Sequence, residues 1–495
     1  MDVRRNSIRY TIVSLIPVWF LLSGCSTNPA TGDQSFTAFM SAEDEVRVGA
    51  QEHPKMLKEF GGRYQAQPLK AYVRYVGKKL AAVSELPNLP WRFVVLNDPQ
   101  VNAFALPGGY IYVTRGLLAL AENEAEIAGV LAHEIGHVTA RHTSQRYSTT
   151  MATKIGLTGL GILGNVFGIP SGVDRVISTG AKIGLQQYSQ SQEMEADMLG
   201  LRYLARVGYD LNAVSSFLKK IRAHSELEAR QKRKKGLSHN IMSTHPRNED
   251  RVNQAVMLAN AKSSVHSLVN RDTYLDRIDG MIFGDDVSQG VVRGLAFRHP
   301  DLRIMFEVPD DFSIFNSPSQ VVAFGPNQAR IIFDMATFKK AGKVRNLLNY
   351  IKDDWAKNLK IKDAEFININ GMQAATAQAR AYISGKPREM RLVAIQEDQN
   401  RIYRLTFMAS TIDMDRLSKK FRRSTYSFRR LTKTEADSIK PLRLRISKIK
   451  PGETVNSIAA GFPFIRFKRE WFRLLNNMKI GEKVTPGQRV KVITD

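Results

Sequence analysis

The residues best placed to do chemistry in this chain are His133, Glu134 and His137, inside the stretch GVLAHEIGHVTARH at 129–142. Two histidines four apart on a helix differ by about 40° of rotation, so their rings project side by side. Imidazole nitrogen suits zinc, and a glutamate next to the first histidine can reach a metal-bound water without being a ligand itself. The spacing predicts a site for metal-assisted hydrolysis, with His133 and His137 as ligands and Glu134 as general base. One ligand is still missing.

A third histidine on the same helix would complete the pattern HExxHxxGxxH, but those positions hold Ala140 and Thr143. Glutamate is the other common choice. The stretch YSQSQEMEADMLGLRYL at 188–204 offers Glu193, Glu195 and Asp197 in a helical pattern. Glu193 and Asp197 share a face, whereas Glu195 points roughly 200° away from Glu193. One carboxylate would bind metal and another would orient a ligand histidine, as metal sites usually require. On this geometry Glu193 leads Glu195 modestly, and both stay open.

Helical spacing covers 41–82, WRFVVLNDP at 91–99 reads as a strand, and NAFALPGGYIYVTRGLL at 102–118 reads as a hairpin followed by a helix start. From Glu122 to about Arg146 the pattern predicts one long helix, with Ile127, Val130, Leu131, Ile135 and Val138 on its core face. Residues 155–169 are apolar and rich in glycine, and read as a mobile flap or a membrane-contacting segment. Helical patterns return at about 188–224 and 247–262. Beyond residue 300 short β-rich runs predict an α+β module with a largely antiparallel sheet.

HEIGH, the ExxxD of QSQEMEAD, NAFALPGG and STHPRNEDR occur in one order, and together they resemble the zinc metallopeptidases of the HtpX and CAAX-prenyl-protease family, in its periplasmic BepA-like lipoprotein form. The similarity covers about 40–265. It implies one zinc ion per chain, Glu193 as the third ligand and Asp197 beside it. It places His245 at the zinc, with Arg251 close by, and lays an extended substrate along the strand Asn102, Ala103, Phe104 and Ala105. His245 has two expected roles: a plug in zinc's fourth position, which leads slightly, or a donor to the oxyanion. The implied reaction is peptide hydrolysis, in which Glu134 takes a proton from a zinc-activated water and passes it to the leaving amine. The several membrane spans of HtpX and the tetratricopeptide pattern that follows the BepA peptidase domain are both lacking.

The N-terminus places this chemistry in an envelope. Arg4, Arg5 and Arg9 precede the apolar run Tyr10–Leu22, which is short for a membrane span, and Leu22-Ser23-Gly24-Cys25 resembles a lipoprotein cleavage box. Cys25 is the chain's single cysteine, so no internal disulfide can form, and lipidation there would anchor the mature protein. Ser26, where an aspartate would signal inner-membrane retention, points to the outer membrane, facing the periplasm. The formal net charge of +25, with basic clusters at Lys232–Lys235, Lys419–Arg423 and Arg443–Lys450, then points to envelope polyanions and not nucleic acid as available partners, while each cluster taken singly reads as a solvated face. The tail at 446–493 resembles a LysM-type wall-binding module through Pro451-Gly452-Glu453-Thr454, Leu475-Asn476-Asn477 and Pro486-Gly487-Gln488, which implies peptidoglycan as a partner. Its middle, GFPFIRFKREW, is longer and more basic than usual.

The expected fold is α+β and multidomain. A signal peptide (1–25) precedes a mainly helical, gluzincin-like HExxH peptidase domain (26–265), a linker (266–299), an α+β module (300–435) and the LysM-like module (442–495). The expected function is an envelope zinc endopeptidase acting on proteins and peptides, including misassembled or damaged envelope proteins. The rival readings are a latent protease working mainly as a chaperone or assembly factor, and a wall-tethered binding protein.

Overall fold

The computed structural model describes residues 25–159, 187–231, 245, 257, 267–337, 346–383, 385–398, 400–464 and 466–495, with the main chain alone at 25 and 153–159. The signal sequence before Cys25, the glycine-rich stretch beyond Gly159, the Lys232–Lys235 cluster and Arg251 lie outside the described residues.

The chain enters through a two-stranded ribbon, β1 (Cys25–Thr27) and β2 (Gln34–Phe36), and then two helices, α1 (Ala42–Glu59) and α2 (Gln67–Ala81). Strands β3 (Arg92–Leu96), β4 (Ala103–Leu106) and β5 (Tyr110–Thr114) form a sheet in the order β3-β5-β4, with β3 parallel and β4 antiparallel to β5. Pro107-Gly108-Gly109 makes the hairpin turn. Gly108 has φ of 77°, and a Cβ there would stand 2.7 Å from the Val46 Cα, so only glycine fits. Alternation along β4 sends Ala103 and Ala105 into the main core and Phe104 and Leu106 into a second cluster under α1.

A short helix, α3 (Arg115–Leu120), leads to α4 (Glu124–Thr139), which carries the HEIGH motif. The Asn123 side chain caps α4 by accepting from the Glu126 amide, and Glu124 and Glu126 complement the dipole at its start. The apolar residues expected on its core face are all buried. The expected single helix through Arg146 is interrupted. Arg141 takes a left-handed φ of 57°, and α5 (His142–Gly159) sets off in a new direction. At this bend the Arg141 guanidinium donates to Glu45 (2.8 Å), Ser26 (2.9 Å) and the Met40 carbonyl (2.9 Å).

Helix α6 (Gln190–Val207) opens on a capping box between Ser189 and Gln192 and closes on Gly208 at φ 88°. It crosses α4 very closely: a Cβ on Gly136 would lie 2.9 Å from the Ala196 carbonyl oxygen, and one on Gly200 3.1 Å from the His133 nitrogen. Helix α7 (Asn212–Gln231) lies on the other side of α4, where Val214 approaches Gly129.

Residues 266–299 are not the expected linker. Helix α8 (Arg271–Ile278) buries Tyr274, Leu275 and Ile278 in the core that also packs α2 and α4, and β6 (Ile282–Phe283), β7 (Val291–Arg293) and β8 (Ala296–His299) follow. Apolar residues at helical spacing within an otherwise polar run gave the helix its buried face. The α+β module therefore begins before residue 300. It holds a four-stranded sheet in the order β17 (Arg429–Arg430), β9 (Ile304–Glu307), β8, β7. An antiparallel seven-stranded sheet follows the order β10 (Ser313–Asn316), β11 (Val321–Phe324), β12 (Arg330–Thr337), β16 (Arg401–Ala409), β15 (Lys386–Gln396), β14 (Met372–Ile383), β13 (Ile361–Ile369), with a helix at Thr411–Ser427.

The C-terminal segment runs β18 (Leu442–Lys448), two short helices (Val455–Ala460 and Lys468–Leu475) and β19 (Arg489–Thr494). It is not a detached module: β18 pairs with both β19 and β6, and Leu444, Phe472 and Val490 share one core with α2 and α4. Lys491 is fully buried, donates to the carbonyls of Ala119 (3.1 Å) and Ala121 (2.7 Å), and pairs with Glu122 at 3.2 Å. Burial pushes its ammonium down to about 8, against the pull of Glu122.

Gly136→Ala tests the α4–α6 crossing. The added methyl meets backbone, so the helices must separate. We expect a loss of about 1–3 kcal/mol in a urea melt, with weakened metal binding. A melt and metal affinity equal to wild type would show that the crossing is looser than described.

Candidate metal centre

His133 and His137 leave α4 one turn apart, Glu193 leaves the first turn of α6, and His245 approaches from beyond α7. Their ligand atoms all lie within 4.8 Å of one another. His133 Nε2 is 3.0 Å from His137 Nε2 and 3.3 Å from His245 Nδ1. Glu193 Oε1 is 3.4 Å from His137 Nε2 and 2.8 Å from His245 Nδ1, and Glu193 Oε2 is 3.6 Å from His133 Nε2. Four ligands at zinc distances on a tetrahedron are separated by roughly 3.3 Å. The donor set and its spacing therefore fit one zinc ion.

Burial suits the ligands to this role. His137 is 1% exposed and Glu193 0%. Burial pushes the His137 imidazole well below its ordinary value, which keeps the ring neutral as a metal ligand must be. Burial also opposes the charge on Glu193, but His245 and His137 outweigh it and hold the carboxyl well below the usual range.

Of the carboxylates considered on α6, Glu193 lies in the cluster and Asp197 stands behind His133, 2.9 Å from its Nδ1. Glu195 points elsewhere, to His142 Nε2 at 3.1 Å. Glu134 is buried, with Oε1 3.4 Å from His245 Nε2. Val214, Phe217 and Ile221 of α7 wall the small pocket around His133, Glu134 and His245. Strand β4, with Asn102 just before it, is an edge of its sheet and packs beside α4. The Asn102 main chain bonds to Thr114. Cys25 opens β1, opposite Phe36.

Sequence reasoning passed over three residues around His137. Tyr188 stacks on its ring at 3.7 Å, Arg146 lies 3.7 Å over the Tyr188 ring, and His142 Nδ1 is 2.7 Å from His137 Nδ1. His142 was visible as a third histidine in the same stretch. On one unbroken helix, however, it would face about 140° away from His137. The bend at Arg141 returns it.

The model for peptidase family M48 matches residues 68–259. The chain is 33% identical over 229 residues to a β-barrel assembly-enhancing protease of Yersinia pestis, covering 44% of this chain and 45% of that protein. It is 30% identical over 213 residues to the protein of the same description in Escherichia coli K12, covering 42% of each. It is also 30% identical over 219 residues to the mitochondrial metalloendopeptidase OMA1 of Schizosaccharomyces pombe, covering 43% of this chain and 60% of that one. The chain thus spans about half the length of the curated relatives it matches. His133, Glu134, His137 and Glu193 all fall inside the matched span, so the metal centre lies in the part of the chain that is similar to peptidase family M48.

Proposed function

We propose that the protein is a zinc-dependent endopeptidase of the bacterial cell envelope that hydrolyses peptide bonds in misassembled or damaged envelope proteins. The observation that carries this reading is the cluster of half-buried His133 with buried His137 and Glu193, with Glu134 beside it, inside the span that matches the peptidase family M48 model. Zinc bound there would supply a Lewis acid that lowers the pKa of a water and polarises a substrate carbonyl. Glu134 takes the proton of the attacking water and hands it to the leaving amine. Asp197 holds His133 in its ligating orientation. The edge strand Ala103–Leu106 offers main-chain groups along which an extended substrate segment, from Asn102 onward, can be laid.

His245 supports a latent resting state. Its Nδ1 completes a four-ligand set with spacings of 2.8 Å to Glu193 and 3.3 Å to His133. Placed there, it would take the space of the water that Glu134 would activate, so catalysis would require its withdrawal. Arg251 and the glycine-rich 155–169 stretch are proposed to act with it. This also favours the second reading, in which the protein works chiefly as a chaperone or assembly factor and cleaves only when triggered.

A Cys25 lipid anchor in the outer membrane, facing the periplasm, is proposed from the cleavage box. Among the described residues no helix is long and apolar enough to cross a membrane. The strand–helix–helix–strand order of the C-terminal segment supports the LysM resemblance and peptidoglycan as partner. Because that segment packs into the peptidase core, wall contact would hold the catalytic domain itself.

Three variants test these proposals. Glu134→Gln should keep zinc and lose casein cleavage by at least about 100-fold; near-native turnover rules out Glu134 as the base. His245→Ala should raise basal cleavage severalfold if the ring is a plug. A fall in rate would assign it to the oxyanion instead. Cys25→Ser should abolish fatty-acid labelling and move the protein out of membrane fractions, and persistent membrane association would refute the anchor.

A further inference from the structure

We propose that His142 and Glu195 are positioning residues for the zinc ligand His137, forming a directed hydrogen-bond chain, Glu195–His142–His137, whose outer end is held by Asn28. This inference rests on the assignment of His137 as a ligand.

The direction of the chain follows from the ring nitrogens. His137 faces the cluster through Nε2, 3.0 Å from His133 Nε2 and 3.4 Å from Glu193 Oε1. A neutral imidazole that ligates through Nε2 carries its proton on Nδ1. That Nδ1 is 2.7 Å from His142 Nδ1, and two nitrogens so close need one proton between them. His137 therefore donates and His142 Nδ1 accepts. A neutral His142 then has its proton on Nε2, which is 3.1 Å from Glu195 Oε2. The remaining Glu195 oxygen, Oε1, accepts from the Asn28 amide at 2.7 Å. Each donor meets one acceptor: His137 and His142 donate outward, Asn28 donates inward, and both lines end on Glu195.

The His142 ring is fully buried, so its two nitrogens have these protein partners and not bulk water. Tyr188 stacked on His137 fixes the plane of the ligand ring, and His142 fixes its rotation within that plane. The terminal carboxylate makes the ligating nitrogen a stronger donor. His133 is served differently, by Asp197 directly at 2.9 Å. The two ligand histidines thus have separate supports, one of which runs out to the N-terminal segment three residues after Cys25.

The test is zinc affinity of the full chain, read by competition with a chromophoric chelator, alongside thermal melting of the metal-free protein. His142→Phe keeps ring volume but removes the acceptor, and should weaken zinc binding about 10- to 100-fold. His142→Asn places a side-chain oxygen near the Nδ1 position and should recover most of the loss. Glu195→Leu should weaken binding severalfold. The double variant His142→Phe/Glu195→Leu should bind no more weakly than His142→Phe alone, because the two act through one chain. Glu193→Gln is the control: native affinity in that variant refutes the ligand set itself. If Glu193→Gln weakens zinc but His142→Phe does not, or if the losses in the double variant multiply, the positioning chain is overturned. Should His142→Phe fail to fold, Glu195→Leu decides in the same assay, with unchanged affinity overturning the proposal.

Discussion

The site depends above all on how closely α4 and α6 can approach. Gly136 and Gly200 leave no side chain between them, so backbone meets backbone within about 3 Å of where a methyl would sit. A carboxylate from the first turn of α6 can then reach two histidines on α4, while Asp197, a turn further on, backs His133. Wider separation would leave Glu193 buried without its histidines, a costly arrangement for a charge. Metal and helix packing are therefore one problem with one solution.

Helix α4 is held firmly at both ends. At its start Glu124 accepts from Tyr72, Tyr209 and Asn270, joining α2, the α6–α7 turn and the start of α8. Just before it, Glu122 collects Arg271, Lys220 and Lys491, and Lys491 comes from the last strand of the chain. At the other end Arg141 ties the bend to Glu45, Ser26 and Met40. Segments far apart in sequence thus converge on the helix that carries the motif. The C-terminal segment thus packs into the same core as α4.

The bend at Arg141 joins these two themes. It stops α4 two residues after His137 and turns His142 back onto that ring. It also brings the ribbon that follows Cys25 against α5 and the first turns of α6. The surroundings of the candidate metal centre therefore reach the N-terminal segment through Asn28 and the pocket beside Glu134 through His245.

The sequence by itself determined the chemistry at short range. HEIGH sets His133 and His137 on one stripe, the ExxxD spacing puts Glu193 and Asp197 on one face, and the alternation in NAFALPGG makes a hairpin. All of these follow from helix or strand periodicity, which is a local property. Tertiary structure decided what periodicity cannot encode. It decided that Glu195 serves His142, because that contact depends on a bend whose stabilising partners lie about a hundred residues away. It decided that residues 271–299 are part of two folded bodies and not a linker, because strands this short are stabilised only by the neighbours they pair with. It decided that Lys491 lies inside the peptidase core, since a lone lysine in a strand reads as surface until its carboxylate and carbonyl partners are in place.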